Sequence, residues 1–174
     1  MKTIILFSVL SVLGIYFTNP FTNNIEYFEL ANQKIQKYNP PRKDYVIIID
    51  YRKNLLSKRL FVLDMKTNKV VVESRVTHAY NSGKLYATDF SNTINSKKSC
   101  VGALLTENPR IGRYGYSMVV KGLDKGVNDN IKKRVIIFHP TRVPWSEGCF
   151  ATSKETNKKI IDLTNYGCLI YVIK

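Results

Sequence analysis

The segment Arg134–Thr152, RVIIFHPTRVPWSEGCFAT, holds the residue types from which a covalent catalyst can be built. The apolar run Val135–Phe138 reads as a strand that delivers His139 at its end, and Cys149 follows across a short loop. Cysteine catalysis needs a thiolate, a base within hydrogen-bond reach to generate it, and backbone N–H groups aimed at the oxygen that becomes negative. His139, projecting from a rigid element, is the candidate base for Cys149. Gly148 lacks a Cβ and can take φ > 0, so the amides around Gly148 and Cys149 are candidates for an oxyanion hole, with Ser146 anchoring the turn or touching substrate. Spacing alone leaves the pair open between a nucleophile with its base and an incidental neighbourhood. His78, His139 and Cys149 can also be assembled on paper into a zinc site, but no closely spaced ligand pair supports that reading.

These residues need a scaffold, and 174 residues supply one domain with a hydrophobic core but hardly two. With 44% hydrophobic and 23% charged residues and only nine Gly and six Pro, the chain is neither disordered, collagen-like nor low-complexity. Lys and Arg number 27 against 13 Asp and Glu, a formal +14, which calls for a polyanionic partner: nucleic acid, an anionic membrane face or an anionic wall polymer. Three cysteines do not make a disulfide framework, and at least one thiol is unpaired. Cys100 and Cys168 are the candidate pair in an oxidising compartment, although Cys168 in an apolar strand reads more simply as a small buried hydrophobe.

Residues 1–20, MKTIILFSVLSVLGIYFTNP, carry Lys2 and an apolar run from Ile4 to Phe17, with no acidic residue before Glu26. That run is shorter than the roughly 20 residues of a membrane-spanning helix and matches the core of a secretory signal. No small-x-small exit follows Gly14–Thr18, so an uncleaved N-terminal membrane anchor is the second reading. Removing the segment would take away only Lys2 among the charges, so the positive surface is expected to work outside the cytoplasm, in the periplasm or cell envelope. An anionic cell-wall polymer is then the expected partner, and no nucleic acid.

An amphipathic lead-in helix is expected within residues 24–40, with Ile25, Phe28, Ala31 and Ile35 at helical spacing and Asn39-Pro40-Pro41 ending it. A single catalytic domain is expected over residues 44–174. Strands are predicted at Asp44–Tyr51, Arg59–Asp64 and Lys69–Thr77, the last two joined by a hairpin turn at Met65–Asn68, and further on at Val101–Thr106, Tyr116–Lys121 and Arg134–His139. The polar stretch from Asn81 to Gly102 reads as a long functional loop. Gly122–Asn130 has the look of a calcium loop but lacks the ordered acidic ligands, and is expected to be a structured turn. Thr152 with Glu155 suggests a capping box for a last helix, Ile160, Ile161 and Leu163 inward and Gly167 ending it, before a buried strand at Cys168–Ile173. The class is mainly β with peripheral helices.

The sequence Ser146-Glu147-Gly148-Cys149 after a strand-end His139 resembles the active-site signature of L,D-transpeptidases, the cysteine enzymes of peptidoglycan cross-linking: a His, a variable spacer, then Ser or Thr, any residue, Gly, Cys. Upstream, VTHAYNSGKLYATDFSNTINSKKSCVG and GRYGYSMVVKGLDKGVNDN resemble the murein L,D-transpeptidase catalytic-domain-like branch of that superfamily. The similarity runs from about Asp44 to Ala151. The chain departs from the pattern at Glu147, where His or Trp is common, at Phe150 and Pro140, and in a shorter His139–Cys149 loop. Glu147 is expected to oppose thiolate formation by like charge unless Arg142 or His139 compensates.

This resemblance implies a β-sandwich-like catalytic domain acting on peptidoglycan stem peptides without metal or cofactor. It implies Cys149 as nucleophile, His139 as base, Gly148 and Ser146 at the oxyanion turn, and His78 and Trp145 beside the substrate; Asn81, Ser82 and Asn92 read as shaping the substrate groove or as satisfying the backbone of the long loop through Asx and Ser turns. For His78 the other reading is a strand-end histidine with a satisfied backbone partner, or one that orients a catalytic group. Trp145 reads equally as a rim contact or a packing residue. Attack of the thiolate on a tetrapeptide stem gives a thioester; an amine acceptor makes this cross-linking, and water makes it L,D-carboxypeptidase action. A wall-binding module with an idle thiol is the non-enzymatic alternative.

Overall fold

The amphipathic stretch forms α1 (Pro20–Tyr38) in the computed structural model, which describes residues 20–174, with side chains from Asn24 onward. Apart from Pro20, the expected signal or anchor lies outside the described residues. Three of the four expected inward residues of α1, Phe28, Ala31 and Ile35, lie on its packed side. Tyr27 and Ala31 are buried, Phe28, Leu30, Ile35 and Tyr38 pack beside them, and Ile25 is exposed. A polar anchor turns the helix this way: the Tyr27 hydroxyl donates to the buried Asp50 carboxylate at 2.8 Å while its ring lies 4.7 Å from that of Phe61.

The β-branched runs become β1 (Arg42–Asp50), β2 (Leu60–Asp64) and β3 (Lys69–Ser74). A short β4 (His78–Ala79) follows, then β5 (Gly102–Gly112), β6 (Gly115–Gly122), β7 (Ile137–Pro140), β8 (Trp145–Ser146), β9 (Phe150–Thr152), α2 (Lys154–Thr164) and β10 (Cys168–Ile173). Eight strands form one sheet in the order β3-β2-β1-β10-β5-β6-β7-β9, and β4 pairs with β8 in a separate parallel pair. β10 lies at the centre, parallel to β1 and antiparallel to β5. Its sequence CLIYVI suits that place because both faces are covered: Ile170 and Val172 join the cluster that receives Ile160 and Ile161 of α2, and Leu169 joins the cluster under α1. The described residues are therefore mainly β with two peripheral helices.

Several boundaries differ from expectation for local reasons. β5 runs past Thr106 because a bulge between Thr106 and Pro109 takes up a proline that cannot donate to the ladder. β7 begins at Ile137 rather than Arg134, because Val135 takes φ +55°, a conformation costly for a β-branched residue. The cap of α2 is Ser153, not Thr152: the Ser153 hydroxyl accepts from Thr156 N–H at 3.2 Å. Gly167 follows α2 at φ +99° and brings the chain against Pro41. In the Gly122–Asn130 turn, Asp124 accepts from Ala103 N–H and from the Tyr38 hydroxyl, and Asn128 bonds Asp124 N–H and the carbonyls of Val101 and Ala103. No group of three metal-ligating side chains occurs among the described residues.

Candidate active site

The segments that carry His139 and Cys149 adjoin at the edge of the large sheet, where β7 and β9 run parallel with Phe138 opposite Phe150 and His139 opposite Ala151. The two phenylalanines stack in the core with centroids 5.1 Å apart, so alternation along β7 turns His139 to the other face of the strand. Cys149 immediately precedes β9 and sits beside Ile137, whose backbone N–H bonds to its sulfur. By that register, His139 and Cys149 occupy diagonal positions on adjoining segments and on the same side of the sheet. His139 Nδ1 is 2.9 Å from the Pro140 carbonyl. A carbonyl only accepts, so Nδ1 carries the proton and the Nε2 lone pair is left free. The thiol hydrogen bonds to the Val135 carbonyl at 3.8 Å.

The turn that carries Cys149 is held by the hydroxyls of Ser146 and Thr77. Ser146 Oγ donates to the Cys149 carbonyl at 2.7 Å and accepts from Gly148 N–H at 3.2 Å. Thr77 Oγ1 donates to the same carbonyl at 3.2 Å and accepts from Ala151 N–H, while Thr77 N–H bonds the Ala151 carbonyl at 3.0 Å. Gly148 stands at φ +128°, where a Cβ would come within 3.2–3.3 Å of Ile136, Arg134 and the Lys98 carbonyl. Its N–H is spent on Ser146. The Cys149 N–H, which has no acceptor among the described hydrogen bonds, is the amide left for an oxyanion.

Burial raises the Cys149 thiol above its ordinary pKa; the Ile137 N–H and the Arg134 charge pull it down, and Glu147 adds to the rise. Glu147 is exposed and paired with Lys97 at 3.1 Å. The compensating cations are therefore Lys97 for the carboxylate and Arg134 for the sulfur, whereas Arg142 lies on the exposed loop. Arg134 is fixed by its Nη1 bond to the Ser91 carbonyl at 2.5 Å and its Nη2 bond to the Lys98 carbonyl. Burial lowers the His139 pKa, opposed by its bond to Pro140, which favours the neutral imidazole a base requires.

The remaining candidates divide. Trp145 is exposed beside the turn. Asn81 is exposed and donates to the Ser96 carbonyl at 3.1 Å. Ser82 is buried, its hydroxyl accepting from Ser99 N–H at 2.7 Å, and Asn92 ties the long loop to Asp129 and Asn130. His78 is in the interior at 1% exposure, with Nδ1 against Arg59 and Nε2 against the Gly83 carbonyl, both at 2.9 Å. No ring nitrogen of His78 is open to a ligand. Thr77, Arg134, Arg59 and Tyr114, none of them expected at the site, surround it. An open cavity of about 610 Å³ flanks the turn, lined by Arg75, Thr77, Arg142, Pro144 and Ala151 among others, but neither His139 nor Cys149 lines it.

A family model described as the L,D-transpeptidase catalytic domain matches residues 18–173. Among solved structures, similarity is found to an L,D-transpeptidase from Mycobacterium smegmatis (11% identity, 75% of this chain and 59% of that one, TM-score 0.47). A second is an L,D-transpeptidase from Stackebrandtia nassauensis (15% identity, 90% and 68%, TM-score 0.46). A third is a fused Zn-dependent amidase/peptidase/peptidoglycan-binding domain-containing protein from Clostridium acetobutylicum (14% identity, 88% and 63%, TM-score 0.50). The chain spans less than two thirds of the length of the first and third of these structures. No curated protein matches the sequence.

Proposed function

Because the chain belongs to the L,D-transpeptidase catalytic-domain family, we propose that it is an exported cysteine L,D-transpeptidase that joins peptidoglycan stem peptides through a thioester on Cys149. The observation that carries this reading is the β7–β9 register, which sets Cys149 beside the strand of His139, together with the Pro140 bond that leaves His139 Nε2 unprotonated. The thiol turns from the Val135 carbonyl to Nε2 and gives up its proton there. The thiolate then attacks the carbonyl of the third stem residue, and the oxyanion faces the Cys149 N–H. His139 returns the proton to the leaving D-Ala nitrogen as the C–N bond breaks and the thioester forms. The side-chain amine of a diamino acid on a second stem attacks next, passing its proton through Nε2 to the sulfur as a new amide forms. The thioester keeps the energy of the cleaved amide, so no nucleotide is consumed.

The formal charge of +14 fits attraction to an anionic wall polymer, acting on encounter rate and sensitivity to salt. The apolar run Ile4–Phe17 supports export, as a cleaved signal or as an anchor. Incubation with purified tetrapeptide muropeptides tests the reaction: chromatography should reveal dimers linked between third residues. Tripeptides without dimers would mean an L,D-carboxypeptidase, and unchanged substrate with intact wall binding by C149A would mean a binding module.

A further inference from the structure

Arg59, at the start of β2, is completely buried, and no carboxylate is among its partners. Its Nε and Nη2 donate to the Val76 carbonyl at 3.0 and 2.7 Å, its Nη1 to the Lys53 carbonyl at 3.3 Å, and its guanidinium lies 4.9 Å from the centre of the Tyr51 ring. Nη2 also lies 2.9 Å from His78 Nδ1. A guanidinium has donors only, so His78 Nδ1 must accept. The ring proton therefore sits on Nε2, which donates to the Gly83 carbonyl. Both nitrogens are committed, and the arrangement holds only for neutral imidazole. A second proton would set N–H against N–H and cation against cation in a buried site where no carboxylate faces either group.

This pair grips the strand that carries the nucleophile turn. Val76, held by Arg59, precedes Thr77, whose hydroxyl donates to the Cys149 carbonyl and whose own carbonyl accepts from the Tyr51 hydroxyl at 2.9 Å. His78 and Ala79 then pair with Trp145 and Ser146, and Ser146 holds both Cys149 and Gly148. The groups facing His78 are the Arg59 guanidinium, the Tyr51 ring set edge-on with centroids 6.3 Å apart, and the backbone of Gly83 and Lys84.

We infer that Arg59 and neutral His78 form an acid-sensitive positioning unit: they lock residues 76–79 and, through Thr77 and Ser146, hold Cys149 in its attacking position, and protonation of His78 releases that strand. The inference rests on Cys149 being the nucleophile only for its catalytic consequence. Burial and the Arg59 charge depress the His78 pKa, offset by the backbone bonds of Gly83 and Lys84. The folded site thus binds its proton less readily than the unfolded chain. The stability this contributes is full above the ordinary histidine value of about 6.5 and is lost as the pH falls toward the depressed one.

Hydrogen exchange across pH 5–8 on the full chain carrying Cys149→Ala reads this without reference to activity. Protection factors in residues 76–79 and 146–151 should fall together, by about tenfold per pH unit below about pH 6.5, while β1 and β10 stay protected. His78→Asn, which offers Arg59 an acceptor that does not titrate, should keep that segment protected at pH 5. In the enzyme with Cys149 intact, it should lessen the acid-side fall of kcat to what protonation of His139 alone sets, while leaving KM within about twofold. Retained protection of the unsubstituted histidine protein at pH 5 overturns the inference, as does acid opening of the His78→Asn protein at the same pH. Because the first measurement needs no variant at His78, a folding failure of that variant leaves the test standing. A flat kcat profile with acid opening intact would instead count against Cys149 as the nucleophile.

Discussion

The Tyr114 ring lies over the His139 imidazole, with centroids 4.8 Å apart and planes 29° from parallel. Tyr114 sits at the tip between β5 and β6, far from His139 in sequence, and its ring covers one face of the imidazole. Burial lowers the His139 pKa, so removing the screen should raise it. Tyr114→Ala is expected to move the acid limb of the pH–rate profile to higher pH, so that the rate at pH 6 falls relative to that at pH 8. The imidazole proton resonances, followed by NMR titration, should shift their midpoint in the same direction.

The three thiols should separate by reactivity. Cys100 and Cys168 are buried, and burial pushes both pKa values up to about 12, whereas Cys149 is only partly covered. A chromogenic disulfide reagent at pH 8 should titrate one thiol in the folded protein, none in C149A, and three in urea.

Much of this frame was legible in the sequence. The β-branched runs of β1, β2 and β10 announce themselves because both faces of the central sheet are covered, and a strand buried on both sides reads as an unbroken apolar run. His139 at a strand end and the Ser146–Cys149 turn were legible for the same local reasons. What escaped is long-range. β4 and β8 are two residues each, too short for periodicity to register, and they form only because they find each other across the fold. Arg59 reads as a solvated end of a strand, yet carbonyls supplied from Lys53 and Val76 allow it to be buried. His78 read either as a groove residue or as a strand histidine with a satisfied backbone partner, and its bonds to Arg59 and the Gly83 carbonyl fit the second and draw it inside. The boundary of β7 was misjudged because nothing in the apolar run Val135–Phe138 signals the positive φ at Val135.

Charge near the sulfur should act with opposite signs at two positions. Glu147→Gln removes a carboxylate that raises the Cys149 pKa, so the alkylation rate at pH 7 should rise, by roughly twofold given the exposure and the Lys97 pairing, and the gain should fade at 1 M salt. Arg134→Met should slow alkylation at the same pH, because the cation that favours the thiolate is lost.

Gly148 tolerates no side chain. At φ +128° an added methyl is strained and meets Ile136, Arg134 and the Lys98 carbonyl at once. Gly148→Ala should cost about 1–3 kcal/mol in urea denaturation, and more than that in relative terms in acylation rate, since the turn that aims the sulfur moves.

Ser146→Ala should separate the same two quantities. Its hydroxyl bridges the Cys149 carbonyl and the Gly148 N–H, so the loss in stability should be about 1 kcal/mol while acylation slows by at least tenfold.

The most direct test of Cys149 as an acyl carrier is intact-protein mass spectrometry after acid quench of a reaction with disaccharide-tetrapeptide. The expected spectrum gains the mass of the disaccharide-tetrapeptide minus D-Ala, located on the Cys149 peptide, at a rate that H139A lowers at least a hundredfold and that C149A abolishes. The same adduct on C149A, or substrate turnover by C149A at the rate of the unsubstituted protein, would contradict the account.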